Sequence, residues 1–174
     1  MALLEILVAP DPRLKKKAAR VDKVDAGVRR LMDDMMETMH EAHGIGLAAP
    51  QVAVSKRVIV LDVAREGEDP MPLYMANPEI VWASDDLSTR EEGCLSLPEQ
   101  FAEVTRPARI RVRYLDHDNV ERELEAEGIL SVCLQHEMDH LEGTLFVDRI
   151  SMLKRSMIMR RLTKARKGSA AGVL

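Results

Sequence analysis

Between Asp25 and His43 the apolar residues Val28, Leu31, Met32, Met35, Met36 and Met39 recur at intervals of three and four. That spacing predicts an amphipathic helix, with Asp25 placed to cap its start and Gly44 to end it. Further along, the period changes from helix to strand. Val58 to Val63 is an almost unbroken apolar, β-branched run, and Arg109 to Tyr114 alternates cleanly, so both predict strands. The second pairs with residues 120–126 across the turn Asp116-His-Asp-Asn119, and weaker strand signals lie at Leu73–Met75 and Ile80–Ala83. From Ile129 to Leu141 the helical period returns, with Ile129, Val132, Cys133, His136 and His140 on one face and Gly143 where a terminator belongs. Ser151 can cap a last helix whose apolar stripe is Met152, Leu153, Met157, Ile158, Arg161 and Leu162, and Gly168–Leu174 reads as a frayed end. The order helix, strands, helix, helix argues for an α+β domain rather than an alternating parallel-sheet fold.

Composition narrows the class. The chain has 174 residues, 46% apolar and 31% charged, which fits one compact domain with its own core. There is no apolar run of the roughly 18–20 residues a membrane span needs. The first ten residues include Glu5 and lack the basic start of a secretory signal, so the expectation is a cytoplasmic protein with reduced thiols. Two cysteines, Cys94 and Cys133, are too few for a disulfide scaffold. Aromatic residues make up only 3% of the chain, which leaves little for stacking on nucleic acid bases, while 11 methionines suggest an adaptable core.

Charge is placed unevenly. From Ser151 onward there are seven basic residues and no acid, so the net −4 conceals a body at −11 and a tail at +7. Residues 1–150 are therefore taken as the acidic body and 151–174 as a basic helix and tail of the same domain. The tail has two readings, a solvated helix docked on the body or an electrostatic contact to RNA or another polyanion.

The chemistry concentrates in His136-Glu-Met-Asp-His140. Histidines four apart on a helix lie one above the other, so both imidazoles can reach one metal ion, and Glu137 beside the first can act on a metal-bound water. A catalytic site of this kind normally takes three protein ligands and leaves a position open. Position 146, where a metzincin has its third histidine, is Phe, and the only acid after Gly143 is Asp148. Cys133 shares the histidine face but lies about 7.5 Å along the axis from the level of the metal, too far for a metal–sulfur bond of about 2.3 Å. Cys94, in the Gly- and Pro-containing stretch Glu91–Pro98, can approach the helix from outside and is the third ligand by elimination.

Three segments, Gly44-Ile-Gly-Leu-Ala-Ala-Pro-Gln51, Glu92-Gly-Cys-Leu-Ser96 and Gln135-His-Glu-Met-Asp-His-Leu-Glu-Gly143, together resemble the three signature motifs of the peptide deformylase family, in order and spacing. The resemblance spans essentially the whole chain. It implies small mixed or antiparallel sheets around a central metal-binding helix, with a C-terminal helix. It also implies hydrolysis of the formyl group from the N-formylmethionine of newly made bacterial or organellar polypeptides, with release of formate. Carried over, it makes Cys94, His136 and His140 the metal ligands, Glu137 the general acid/base, and Gln51 with the Leu95 backbone N–H the oxyanion donors. Ile45, Gly46 and Gly93 would bind the peptide main chain as an added strand. On the helix face Ile129, Val132 and Cys133 are placed either to wall a methionine pocket or to serve as plain core. The donor set suits one divalent ion per chain, with Fe2+ favoured by the resemblance and Zn2+, Ni2+ or Co2+ able to replace it. The implied partners are the nascent peptide and, through the basic tail, the ribosome near the exit tunnel; a monomer is expected, without membrane or DNA.

Two other classes remain open at this level: a zinc endopeptidase built on the same histidine pair, and a noncatalytic metal- or RNA-binding module. His40 and His43 are read as helix-end or surface residues, His117 as a turn residue, and Glu92 as near enough to Cys94 to orient groups around it.

Overall fold

The computed structural model describes the backbone of residues 2–171 and side chains as far as Gly168. Helix α1 (Ala26–Glu41) begins as the sequence predicts, with the Asp25 carboxylate accepting the Val28 N–H at 2.9 Å. Its end differs by one residue. His43, with φ 57°, takes the left-handed position, and Gly44 N–H returns to the Met39 carbonyl at 2.9 Å. This is the two-bond helix stop, with the histidine where glycine is usual.

Five strands, β1 (Gly46–Ala48), β2 (Val58–Leu61), β3 (Leu73–Ala83), β6 (Arg109–Leu115) and β7 (Glu121–Glu127), form an antiparallel sheet in the order β1-β2-β3-β6-β7. The hairpin β4 (Leu87–Cys94) and β5 (Leu97–Pro107) forms a second, two-stranded sheet. Residues of β2 alternate between two cores, which explains its continuous apolar run: Val58 and Val60 pack with the methionines of α1, Ile59 and Leu61 with helix α2 (Gly128–Leu141) on the other face. A third cluster, including Leu97, Val104, Phe146, Ile158 and Leu162, seats the hairpin and helix α3 (Met152–Ala171) against the body.

Several expectations need correction. Leu73–Met75 and Ile80–Ala83 are one strand, with register shifts where it pairs with β6. The hairpin β4–β5 carries no strand signal in the sequence, because its polar and charged stretch offers little apolar alternation, and neither does the three-residue β1. The β6–β7 pairing is as expected, from Arg109↔Glu127 to Leu115↔Glu121. Ser151 caps α3 by accepting the Lys154 N–H at 3.2 Å, but the buried stripe is narrower than predicted. Ile158 and Leu162 are buried, whereas Met152, Leu153 and Met157 are exposed. The helix also continues through Gly168 to Ala171, since one glycine costs a helix only about 1 kcal/mol; residues 172–174 lie outside the described residues.

Candidate metal centre and active-site cleft

Helix α2 runs under the five-stranded sheet with its second half almost wholly buried, including Gln135, His136, Glu137, Asp139 and His140. Such polar burial is costly unless each group is partnered. His136 Nδ1–H donates to Glu92 Oε1 at 2.9 Å, leaving Nε2 free. The last residue of β4, Cys94, brings its Sγ to 3.4 Å from His140 Nε2. One ligand atom from each of Cys94, His136 and His140 lies within 4.8 Å of the others. For a tetrahedral ion with bonds of about 2.3 Å to sulfur and 2.0–2.1 Å to nitrogen, ligand atoms stand roughly 3.5 Å apart, so this constellation fits a cation.

Electrostatics point the same way. Burial opposes a charge on His136, but Cys94, Glu92 and Glu137 outweigh it and raise the ring's pKa well above its ordinary value. Surroundings that favour a proton there favour a metal cation beside it. Burial and the nearby positive groups push His140 well below its ordinary value, keeping it neutral and able to ligate. Burial lifts the Glu137 carboxyl to about 7, and its Oε2 has no partner among the described residues.

Around His136, one buried arginine organises the acids. Arg106 of β5 donates to Glu92 through Nε (2.7 Å) and Nη2 (2.8 Å), and to Asp139 through Nη1 (2.9 Å). Burial works to raise the Glu92 pKa, yet Arg106 and His136 hold it at about 2. Phe146, at the sequence position where a metzincin carries its third histidine, stacks near His136 at 6.1 Å between ring centroids.

Above the cluster opens a cleft of about 430 Å³. Gly46 of β1 and Ile45 just before it flank the cleft, with Gly93, Cys94 and Leu95 from the hairpin and Ile129, Val132 and Cys133 from α2. Glu137 and Gln51 reach into it. Gln51 is held by its own turn: its Oε1 accepts the Ala48 N–H at 2.9 Å, which aims Nε2 at Ser96 Oγ (3.0 Å) and Cys94 Sγ (3.5 Å). Cys133 stays apart from the ligand cluster, its thiol 3.6 Å from the Ile45 carbonyl oxygen and pushed to high pKa by burial.

Every sequence-selected residue thus lies at or beside one cleft, with His140 buried beneath it. Arg106 and Ser96 were not singled out from sequence. Arg106 stands in a segment without a readable period, and only the folded hairpin reveals its partners. His40 pairs with Asp62 (3.1 Å) and His117 with Asp33 (2.9 Å), both away from the cluster.

A histidine pair and a thiol that can share one cation, with a buried carboxyl beside them and an open cleft above, define a metal-dependent hydrolase. Residues 3–156 match the polypeptide deformylase family model. The peptide deformylase of Phenylobacterium zucineum is 56% identical over 97% of this chain and 100% of that protein. That of Rhizobium meliloti is 53% identical over 98% of both. The crystal structure of peptide deformylase from Ehrlichia chaffeensis superposes with a TM-score of 0.92 at 42% identity, covering 97% of this chain and 99% of that one. A structure of the Ehrlichia chaffeensis enzyme in complex with actinonin gives a TM-score of 0.90 at 44% identity, over 95% of this chain and 98% of that one. This chain belongs to the polypeptide deformylase family.

Proposed function

We propose that the chain removes the formyl group from the N-terminal N-formylmethionine of newly synthesised polypeptides and releases formate. The observation that carries this is the convergence of Cys94, His136 and His140 beside Glu137 at the floor of the cleft. Bound by those three residues, a divalent cation supplies Lewis-acid chemistry, lowering the pKa of water from 15.7 toward roughly 7. Fe2+ is the ion favoured by the family resemblance, with Zn2+, Ni2+ and Co2+ compatible with one thiolate and two imidazoles.

The residues divide the remaining work. Glu137, buried and with one carboxyl oxygen unpartnered, accepts a proton from the attacking water and delivers it to the departing amine. Gln51 donates from Nε2, and Leu95 from its backbone N–H, to the oxygen on which negative charge grows, at no cost of reorganisation during the reaction. Ile45, Gly46 and Gly93 hold the peptide main chain, with β1 as an open sheet edge beside the cleft. Ile129, Val132 and Cys133 receive the methionine side chain.

The zinc endopeptidase reading is less well supported, because the third group beside the histidine pair is a thiol rather than a histidine or carboxylate. Anaerobically prepared protein, assayed for formate release from a formyl-Met dipeptide with its metal content measured in parallel, tests the function. Metal-replete protein that releases no formate would refute it.

The body 1–150 and the tail 151–174 act as one unit in this reading, a monomer in the bacterial cytoplasm. No helix among the described residues is long and apolar enough to cross a membrane. The exposed Lys154, Arg160, Arg161, Lys164, Arg166 and Lys167 of α3 face solvent beside exposed Met152 and Leu153, which suits contact with ribosomal RNA near the exit tunnel. Because Ile158 and Leu162 of the same helix are buried, the test is charge reversal at Arg160, Arg161 and Lys164 rather than deletion. Co-sedimentation with ribosomes in low salt should fall while formate release holds; unchanged co-sedimentation defeats the ribosome assignment.

A further inference from the structure

We propose that Arg149 is a positioning residue of the metal centre, acting on His136 through Asp139, Arg106 and Glu92. This rests on the reading of Cys94, His136 and His140 as the ligands. Arg149 ends the short 3-10 turn Phe146–Arg149, outside the three sequence motifs and outside the cleft. Its guanidinium grips Asp139 by two bonds, Nε to Oδ2 at 2.5 Å and Nη2 to Oδ1 at 2.7 Å. Asp139 sits between the ligand His136 and the ligand His140 on α2. Its Oδ2 also accepts Arg106 Nη1 at 2.9 Å, and Arg106 in turn holds Glu92 by two bonds. Glu92 accepts the Nδ1–H of His136 at 2.9 Å, which fixes the tautomer and aims Nε2 at the ligand cluster.

Charge counting explains why the chain needs its outer member. Glu92 and Asp139 bring two negative charges into a region where the side chains of Arg106 and Glu92 are 3% and 4% exposed. Arg106 supplies one positive charge and three donors divided between both acids. Arg149 supplies the second positive charge and a planar fork matched to a carboxylate. Without it, Arg106 is the sole guanidinium for two buried acids, and the competition for its donors falls on the Glu92 contacts that orient His136. The Arg149 side chain is itself 44% exposed, so its replacement leaves no sizeable buried cavity. It lies outside the cleft lining, so its effect should appear in metal binding rather than in KM.

The test uses the full chain loaded with Co2+, comparing wild type, Arg149→Met and Arg149→Lys. Chelator competition reads Co2+ affinity, and visible absorption reads the ligand field. Loss of a group that supports a ligand typically lowers metal affinity 10–100-fold, and for this outer member about tenfold is expected in Arg149→Met. Its Co2+ spectrum should shift, and Arg149→Lys, which restores charge without the fork, should recover part of both. Should Arg149→Met not fold, Arg149→Lys carries the test alone, with a smaller loss and shift expected. Affinity and spectrum equal to wild type, whatever happens to the melting temperature, overturn the proposal. Wild-type protein that fails to hold Co2+ refutes the ligand assignment, and this proposal with it.

Discussion

Gly46 lies directly against the carboxylate of Glu137: a Cβ at residue 46 would stand 2.7 Å from Glu137 Oε1 and 2.8 Å from Cys133 Sγ. Real Cβ atoms do not approach side-chain atoms so closely, so the Glu137 carboxylate and the Cys133 thiol can keep these positions beneath β1 only because residue 46 has no side chain. The contact sets how deeply the proposed proton-carrying group lies beneath the edge that would receive substrate.

Gly46→Ala should therefore leave the fold intact and displace Glu137 by several tenths of an ångström or more. Catalysis loses up to about 100-fold for misplacements near 1 Å. The expected outcome is a kcat/KM for formate release lower by one to two orders of magnitude, with metal content near one ion per chain. Unaltered kinetics would mean that the β1 backbone yields easily and that the close contact is incidental.

The two thiols give opposite expectations. Cys94 Sγ stands 3.4 Å from His140 Nε2, whereas Cys133 Sγ is directed at the Ile45 carbonyl and its thiol is held in the neutral form by burial. Cys94→Ala should lose tight metal binding, and Cys133→Ala should keep it while altering the wall of the methionine pocket. Elemental analysis after dialysis against a weak chelator distinguishes them, and metal loss in Cys133→Ala alone would reverse the assignment.

Gln51 is anchored at its oxygen by Ala48 N–H, so the direction of its Nε2 is fixed before substrate arrives. Gln51→Glu keeps an oxygen for that anchor and removes the donor. Loss of one such donor commonly lowers kcat by about 100- to 1,000-fold. A steady-state comparison should show this fall mainly in kcat, and a change confined to KM would assign Gln51 to substrate binding instead.

How much of this was legible in the chain depends on how local each signal is. The helix spacing of His136 and His140, the Asp25 cap and the apolar run of β2 are written in neighbouring residues, and sequence rules recover them. Separating Cys94 from Cys133 needed only the rise of a helix. The hairpin β4–β5 was not legible, because two of its buried residues, Glu92 and Arg106, are polar groups that satisfy each other, while its apolar Leu87 and Phe101 are exposed. Arg106 and Glu92 are adjacent across a fold rather than along the chain, so nothing in the local pattern marks them. His43 at the end of α1 shows the same limit, since its left-handed conformation is accepted where glycine was the expected terminator. In α3, helical spacing identified the stripe but not its width, which depends on what the body leaves uncovered.

A pH-dependent contribution to stability should come from Asp148. This carboxylate caps its own 3-10 turn through the Leu145 N–H at 2.8 Å, accepts Arg155 Nε of α3 at 2.9 Å, and pairs with Lys15. Burial works to raise its pKa, but these three partners outweigh it and hold the group below its ordinary 3.8. A carboxyl that is more acidic in the folded chain than in the unfolded one stabilises the fold at pH above the unfolded value, and that contribution disappears as pH falls through the folded value. Asp148→Asn should thus be less stable than wild type at pH 7, by about 1–2 kcal/mol for a partly exposed charged network. The two denaturation curves should converge progressively as the pH is lowered from about 5 through the unfolded value near 3.8 and toward the lower folded value. A difference that stays constant over that range would show that the loss comes from packing or from the amide's geometry, and that the charge of Asp148 does not hold α3 to the N-terminal segment.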